Sequence, residues 1–220
     1  DKEADRAKIR IVVLQGAGDT FSVGGDIDGY GEKLEKERPE HNLEHWVTTF
    51  NKVHEFVTPV VAKIDGYCMG GGLELASAAD FRIASESSEF ALPEIQSGMV
   101  PSGGGMEVLQ ELIGPSLRKE LSMLGETMDA ATAAEYGLLN QVSSEDEFES
   151  DAREYIETLA NKAPLAVRTV KQGVNLATKI GYEETMQYDQ RTYELLQRSE
   201  DYREGIRSFL EDRDPEWTGR

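Results

Sequence analysis

Two glutamates sit in surroundings that suit proton transfer. Glu74 follows the run Gly70-Gly71-Gly72 and lies among Leu73, Leu75, Ala76 and Ala78. A carboxylate on so small and apolar a helix is expected to be partly buried. Burial raises a carboxyl pKa towards the range useful for moving protons. The alternative role for Glu74 is a helix cap. Glu94 lies between Pro93 and Ile95 in an otherwise apolar stretch that starts at Phe90 and leads to Gly98 and Gly103-Gly104-Gly105. Its alternative is an exposed loop acid. The glycines at 70–72 let a backbone approach a ligand closely. N–H groups at a helix start have no internal partner, which suits an anion or a developing oxyanion. Close packing of helix on strand would use the same glycines, so spacing alone leaves both readings open.

The elements that must position these residues alternate at first. Residues 9–14 read as a buried strand ended by Gly16 and Gly18, and a glycine turn follows at 23–26. Leu43, Trp46, Phe50, Val53 and Val57 have helical spacing over 42–57, with Trp46 and Phe50 expected in the core, and Pro59 stops that helix. Residues 60–64 form a second buried strand, the glycine run opens a helix over 73–79, and 81–85 form a third strand. Beyond 105 the chain is helical: 105–113, 116–124, 130–136, 146–162, 164–178, 182–197 and 200–211. Ser199 before Glu200 and Asp201 is a helix start, with the hydroxyl capping and the acids suiting the positive end. Strands alternating with helices, then helices alone, predict an α/β core with a helical C-terminal region. Residues 1–145 are assigned to the core and 146–220 to a helical oligomerisation or lid region.

Composition narrows the function classes. The chain has 42 Asp+Glu against 23 Lys+Arg, a formal charge of −19. Such a surface repels phosphate backbones and anionic lipids, so neither nucleic acid nor membrane is an expected partner. The acid excess reads as a solvated face, and its even spread resembles proteins from salt-loving organisms. No run approaches the ~20 apolar residues of a membrane span, and the charged start does not read as a signal peptide. Cys68 is the single cysteine, and no Cys/His cluster forms a metal site. Both fit a cytoplasmic protein. Cys68 is read as a small buried side chain rather than a nucleophile. His41, His45 and His54 are read as exposed helix residues.

Five segments together resemble the crotonase (enoyl-CoA hydratase/isomerase) family: 11–27 (IVVLQGAGDTFSVGGDI), 59–75 (PVVAKIDGYCMGGGLEL), 90–105 (FALPEIQSGMVPSGGG), 130–142 and 204–210. The resemblance covers nearly the whole chain and is closest to enoyl-CoA hydratase. The strand and helix that usually precede the first motif are expected to be missing. The resemblance implies a core of repeated ββα units. It implies that the N–H groups of Gly25 and Gly71 hold the thioester oxygen of an acyl-CoA, and that Glu74 and Glu94 are the catalytic acids. Val23, Asp26, Ile27, Met69, Gly70, Pro93 and Ser102 are the implied substrate-binding residues; Tyr30 can also line the acyl pocket. CoA is part of the substrate and no separate cofactor or metal is implied.

Keeping both acids points to hydration of a trans-2-enoyl-CoA, in fatty-acid or related acyl-CoA breakdown. Isomerase, decarboxylase or thioester hydrolase chemistry is the alternative, and a non-catalytic scaffold or RNA binder is a third. The family also implies homotrimers paired into hexamers. Two departures stand out. Ser102 replaces a frequent glycine. Lysines that commonly meet CoA phosphates fall on Asp19, Asp28 and Asp212, leaving Lys33, Lys63 or Arg213 as substitutes and Trp217 as a contact for adenine.

Overall fold

The computed structural model describes residues 9–31, 43–103 and 105–220. Lys33 and His41 fall outside them, as does the side chain of Tyr30. By its packing the chain divides into two compact units, one comprising Val13–Phe56 with Val60–Ala152 and the other the stretch ending at Val12, Val57–Pro59 and Arg153–Arg220.

The first unit begins within β1 (Val12–Gln15), followed by a five-residue helix α1 (Ile27–Gly31) and α2 (Leu43–His54). Then come β2 (Val60–Ile64), β3 (Tyr67–Met69) and α3 (Gly71–Ala78). The same strand–strand–helix order repeats as β4 (Phe81–Ser85), β5 (Glu89–Ala91), a 3-10 turn at Pro93–Ser97 and α4 (Gly105–Leu124). Next are β6 (Met128–Asp129), α5 (Ala130–Glu135) and β7 (Gln141–Ser143). Each repeat places one strand in each of two sheets, ordered β1-β2-β4-β7 and β3-β5-β6. Val61 lies beside Phe81 and Ile83 beside Gln141 in parallel register, as Tyr67 does beside Glu89 in the small sheet. Strands covered on both faces read as continuous apolar runs. Accordingly Val60, Val61, Ile64, Ile83 and Phe90 are almost entirely buried. The short strands β3, β5, β6 and β7 have no such run, so periodicity does not find them.

Polar groups inside this core are bonded, as burial requires. Asp80 accepts from Val60 N at 2.7 Å, fixing where β2 starts. The buried Arg82 guanidinium donates to the carbonyls of Leu138 and Ala79, both at 2.7 Å, tying the end of α3 to the turn before β7. The expected break between helices at 113 and 116 is a kink: Gly114, at φ 76°, lets Pro115 begin a new helical stretch within α4.

The second unit is helical. The chain enters it within α6 (Phe148–Ala160) and continues as α7 (Pro164–Ala177), α8 (Tyr182–Leu196) and α9 (Glu200–Leu210). Ser199 caps α9 as its sequence predicts, its hydroxyl accepting from Tyr202 N at 3.0 Å. The last residues fold back over the start of α9, where Asp201 accepts from Thr218 N at 2.7 Å and Arg220 O accepts from Glu200 N at 2.6 Å. Among the described residues no helix is long and apolar enough to cross a membrane.

Candidate active site

The site forms where two glycine-containing loops and an acidic turn meet. Ser22 and Met69 bind each other's loops: Ser22 N donates to Tyr67 O and Met69 N to Ser22 O, both at 2.9 Å. Gly24 therefore runs so close to the second loop that a Cβ there would lie 3.0 Å from Met69 O and 3.2 Å from Gly71 N. Gly70 precedes α3 at φ 53°, a conformation that favours glycine, and its N–H donates to Ala91 O at 2.9 Å. That turn starts α3 at Gly71, two residues before the helix expected from sequence. Gly25 and Gly71 line one cavity, and neither N–H donates to another described residue.

Both acids open onto this cavity of about 460 Å³. Glu74 is only 4% exposed. Its Oε1 accepts from Gly103 N at 2.9 Å. The space at Gly103 is closed by Phe50, whose Cε2 would be 1.8 Å from an added Cβ. Glu94 arrives from the 3-10 turn, with Oε1 only 3.0 Å from where a Cβ on Gly70 would sit. Its Oε2 is buried and has no hydrogen-bond partner. Burial pushes the Glu94 carboxyl above the usual range, against weaker downward pulls from its own backbone N–H and from Arg118. Both acids are thus largely removed from water, and they differ in that Glu74 Oε1 accepts from a backbone N–H while Glu94 Oε2 has no partner.

Of the residues expected to touch substrate, Val23, Ile27, Gly70, Pro93 and Ser102 line the cavity, while Asp26 and Met69 are not among its walls. The Asp26 carboxylate instead accepts from Gly29 N at 3.1 Å. Trp46 was expected in the core with Phe50. Phe50 is buried there, but Trp46 is 38% exposed and forms a cavity wall, stacked on Phe50 and 3.2 Å from a Cβ position on Gly71. Helical spacing cannot separate a core wall from a cavity wall, since both face inward. Met99 and Val100 add apolar lining that motif spacing did not single out.

Two cations considered for CoA phosphates are already matched by carboxylates. Lys63 pairs with Glu149, and Arg213 pairs with Glu204 at 2.6 Å and Glu211 at 2.7 Å. Trp217 donates its indole N–H to Asn161 O at 2.8 Å, and its ring packs on Gly205. Cys68 is fully buried, and desolvation pushes its thiol far up against a weaker pull from Arg82, so it is no nucleophile.

Known proteins share this architecture. The family model described as enoyl-CoA hydratase/isomerase matches residues 2–220. A carnitinyl-CoA dehydratase of Salmonella paratyphi A is 35% identical over 222 residues, covering 98% of this chain and 84% of the relative. The crystal structure of an enoyl-CoA hydratase from Bacillus anthracis superposes with a TM-score of 0.91 at 32% identity, covering 100% of this chain and 86% of that one. An enoyl-CoA hydratase from Polaromonas sp. JS666 gives a TM-score of 0.90 at 27% identity, with 99% and 87% covered. With two glycine loops, two acids and this repeat of strands and helices, the chain belongs to the enoyl-CoA hydratase/isomerase family.

Proposed function

We propose that this protein is an enoyl-CoA hydratase that reversibly adds water to a trans-2-enoyl-CoA, giving a 3-hydroxyacyl-CoA in fatty-acid or related acyl-CoA metabolism. The observation that carries this reading is that Glu74, Glu94, Gly25 and Gly71 line one cavity. In this reading the N–H groups of Gly25 and Gly71 bind the thioester oxygen. Drawing charge onto that oxygen polarises the conjugated double bond and stabilises the enolate. One such donor is typically worth ~3–4 kcal/mol in the transition state. Glu74, whose Oε1 accepts from Gly103 N, takes a proton from water as the oxygen attacks the β-carbon. Glu94, held towards its protonated form, delivers a proton to the α-carbon. The atoms balance without any cofactor beyond the CoA of the substrate. The dehydratase relative runs the same bond changes in the opposite direction, which supports hydro-lyase chemistry.

We place the enzyme in the cytoplasm, as a homotrimer or hexamer. The apolar side chains left exposed on the second unit, among them Val170, Val174, Phe209 and Leu210, support assembly through those helices. The test is incubation with crotonyl-CoA, following loss of enoyl-thioester absorbance and identifying the product. Formation of 3-hydroxybutyryl-CoA is expected. Free CoA or a shifted double bond would replace hydration by hydrolase or isomerase chemistry. Carnitinyl-CoA, followed by the gain of enoyl-thioester absorbance as water leaves, tests whether the cavity accepts a trimethylammonium group.

A further inference from the structure

α2 brings two aromatic side chains to the site, and they differ in what they touch. Phe50 is 3% exposed, does not line the cavity, and occupies the space at Gly103, its Cε2 lying 1.8 Å from where a Cβ would sit. Gly103 N is the donor that holds Glu74 Oε1 at 2.9 Å. Trp46, one helical turn before Phe50, stacks on it with ring centroids 5.8 Å apart and planes at 28°. The benzo edge of Trp46 faces Gly71: Cζ3 and Cη2 would lie 3.2 and 3.5 Å from a Cβ there. Trp46 is the only aromatic residue among those that line the cavity.

These contacts fix the ring between the two parts of the chemistry. On one side it touches the glycine whose N–H binds the thioester oxygen. On the other it reaches, through Phe50, the glycine that holds the acid serving the β-carbon. The ring cannot retreat towards the core, because Phe50 and Gly103 are already in contact behind it and a packed interior has no spare volume. Atoms of an acyl chain beyond the β-carbon therefore meet a wall that does not yield inward. Space is limited as well. A benzene fills a cavity of ~150 Å³, so this one of about 460 Å³ holds on the order of 18 carbon-sized atoms. The thioester, the adjoining arm of CoA and the acyl chain must share it.

We propose that Trp46 is a specificity-determining residue for acyl length, its backed ring limiting the cavity to short-chain 2-enoyl-CoAs. This rests on the hydratase reading for where the carbonyl and the β-carbon sit, but the length limit is also measurable by binding alone. The other course for a long chain is outward, past Val23, Ile27 and Val100, cavity-lining residues that are 63%, 66% and 61% exposed.

The test measures kcat/KM for crotonyl-, trans-2-hexenoyl-, trans-2-octenoyl- and trans-2-decenoyl-CoA in wild type, Trp46→Phe and Trp46→Ala. In wild type the values should fall along the series. Trp46→Ala should raise the decenoyl-to-crotonyl ratio by about 10-fold or more, the lower end of what a single methylene changes in a fitted apolar pocket. Trp46→Phe, which keeps the stack with a smaller ring, should fall between. A flat series in wild type would show that the chain leaves past the exposed rim, and would overturn the proposal. So would a ratio unchanged in Trp46→Ala even where all rates drop together, since that is the result of a purely structural role. If Trp46→Ala does not fold, Trp46→Phe decides, and an unchanged ratio there overturns the proposal too. If wild type hydrates none of the four, the hydratase reading falls. Calorimetric binding of butyryl- and decanoyl-CoA then decides on Trp46: the alanine variant should favour decanoyl-CoA by a similar factor, and an unchanged binding ratio would overturn the length limit.

Discussion

The two units hold themselves together differently. Among the described residues, the largest fully buried side chains, such as Ile64, Leu73, Ile83 and Phe90, all belong to the unit that bears the site. Among the described residues of the helical unit the buried polar side chains are Thr58, Lys171, Asp201 and Ser208, while Val174 is 61% exposed and Phe209 83%. Burial in a dense core fixes atoms closely, because interiors pack like crystals and transmit small displacements. The acids and the glycine loops need that rigidity. The helical unit relies instead on directional contacts, such as Asp201 holding the chain end and Glu204 gripping Arg213 at 2.6 Å. The two carboxyls Glu94 and Glu204 show the contrast chemically. Burial pushes Glu94 up, whereas Arg213 and Glu216 N pull Glu204 down to about 2.

The sharpest break in the comparison comes from the acids themselves. Glu74→Gln and Glu94→Gln keep size and shape while removing the transferable proton. Each should lower kcat on crotonyl-CoA by about 10²–10⁴-fold, the range for general acid–base groups. Binding of an acyl-CoA, followed by calorimetry, should change little. A variant with wild-type turnover would remove that residue from the reaction. Neither change should be matched by any single substitution in α7, α8 or α9.

Much of this was legible in the sequence, for physical reasons that differ by element. β2 and β4 match their expected bounds because both are short, mostly apolar stretches ended by turn residues. The helices after residue 105 follow from periodicity and from Pro115, Pro164 and Ser199 at their starts. The three-residue strands at Tyr67–Met69 and Glu89–Ala91 were not legible, since so short a pattern carries no period. Glu74 and Glu94 were found from their apolar neighbours and from the motif. The burial of Arg118 was not legible, because an arginine in a helix beside Lys119 reads as surface. Its signal was its spacing: Leu121 and Gly125 follow three and seven residues later, and all three positions are buried. Trp46 shows the converse, an inward-facing residue whose cavity no sequence pattern reveals.

A second substitution pair asks whether the core, rather than the helices, carries the stability. Leu73→Ala removes a fully buried side chain one residue from Glu74 and should cost about 2–5 kcal/mol in denaturant unfolding. Val174→Ala, at a position 61% exposed, should stay within ~0.5 kcal/mol for the monomer. If Val174→Ala costs several kcal/mol at high protein concentration and little on dilution, the helix face is covered in an assembly. Its exposure would then describe only the isolated chain.

The smallest effects separate the two kinds of carboxyl by pH. Glu204 has an ordinary value of 4.5 and a folded value of about 2. Between these the unfolded chain binds more protons, so its contribution is complete above the unfolded value and is lost as pH falls through the folded one. Glu94 has the opposite sign. Its raised folded value means that the folded state holds the extra proton, so stability declines as pH climbs above 4.5. Melting temperatures across this range should therefore fall less steeply towards acid in Glu204→Gln than in wild type, and decline less towards neutral pH in Glu94→Gln. Solvent reaches the Glu204–Arg213 pair through the exposed arginine, so its slope should be small and should shrink further in salt, while the slope due to Glu94 should persist. Equal salt sensitivity of the two slopes would show that burial does not set Glu94 apart, and the distinction between a core-held site and a surface-held helical unit would lose its electrostatic half.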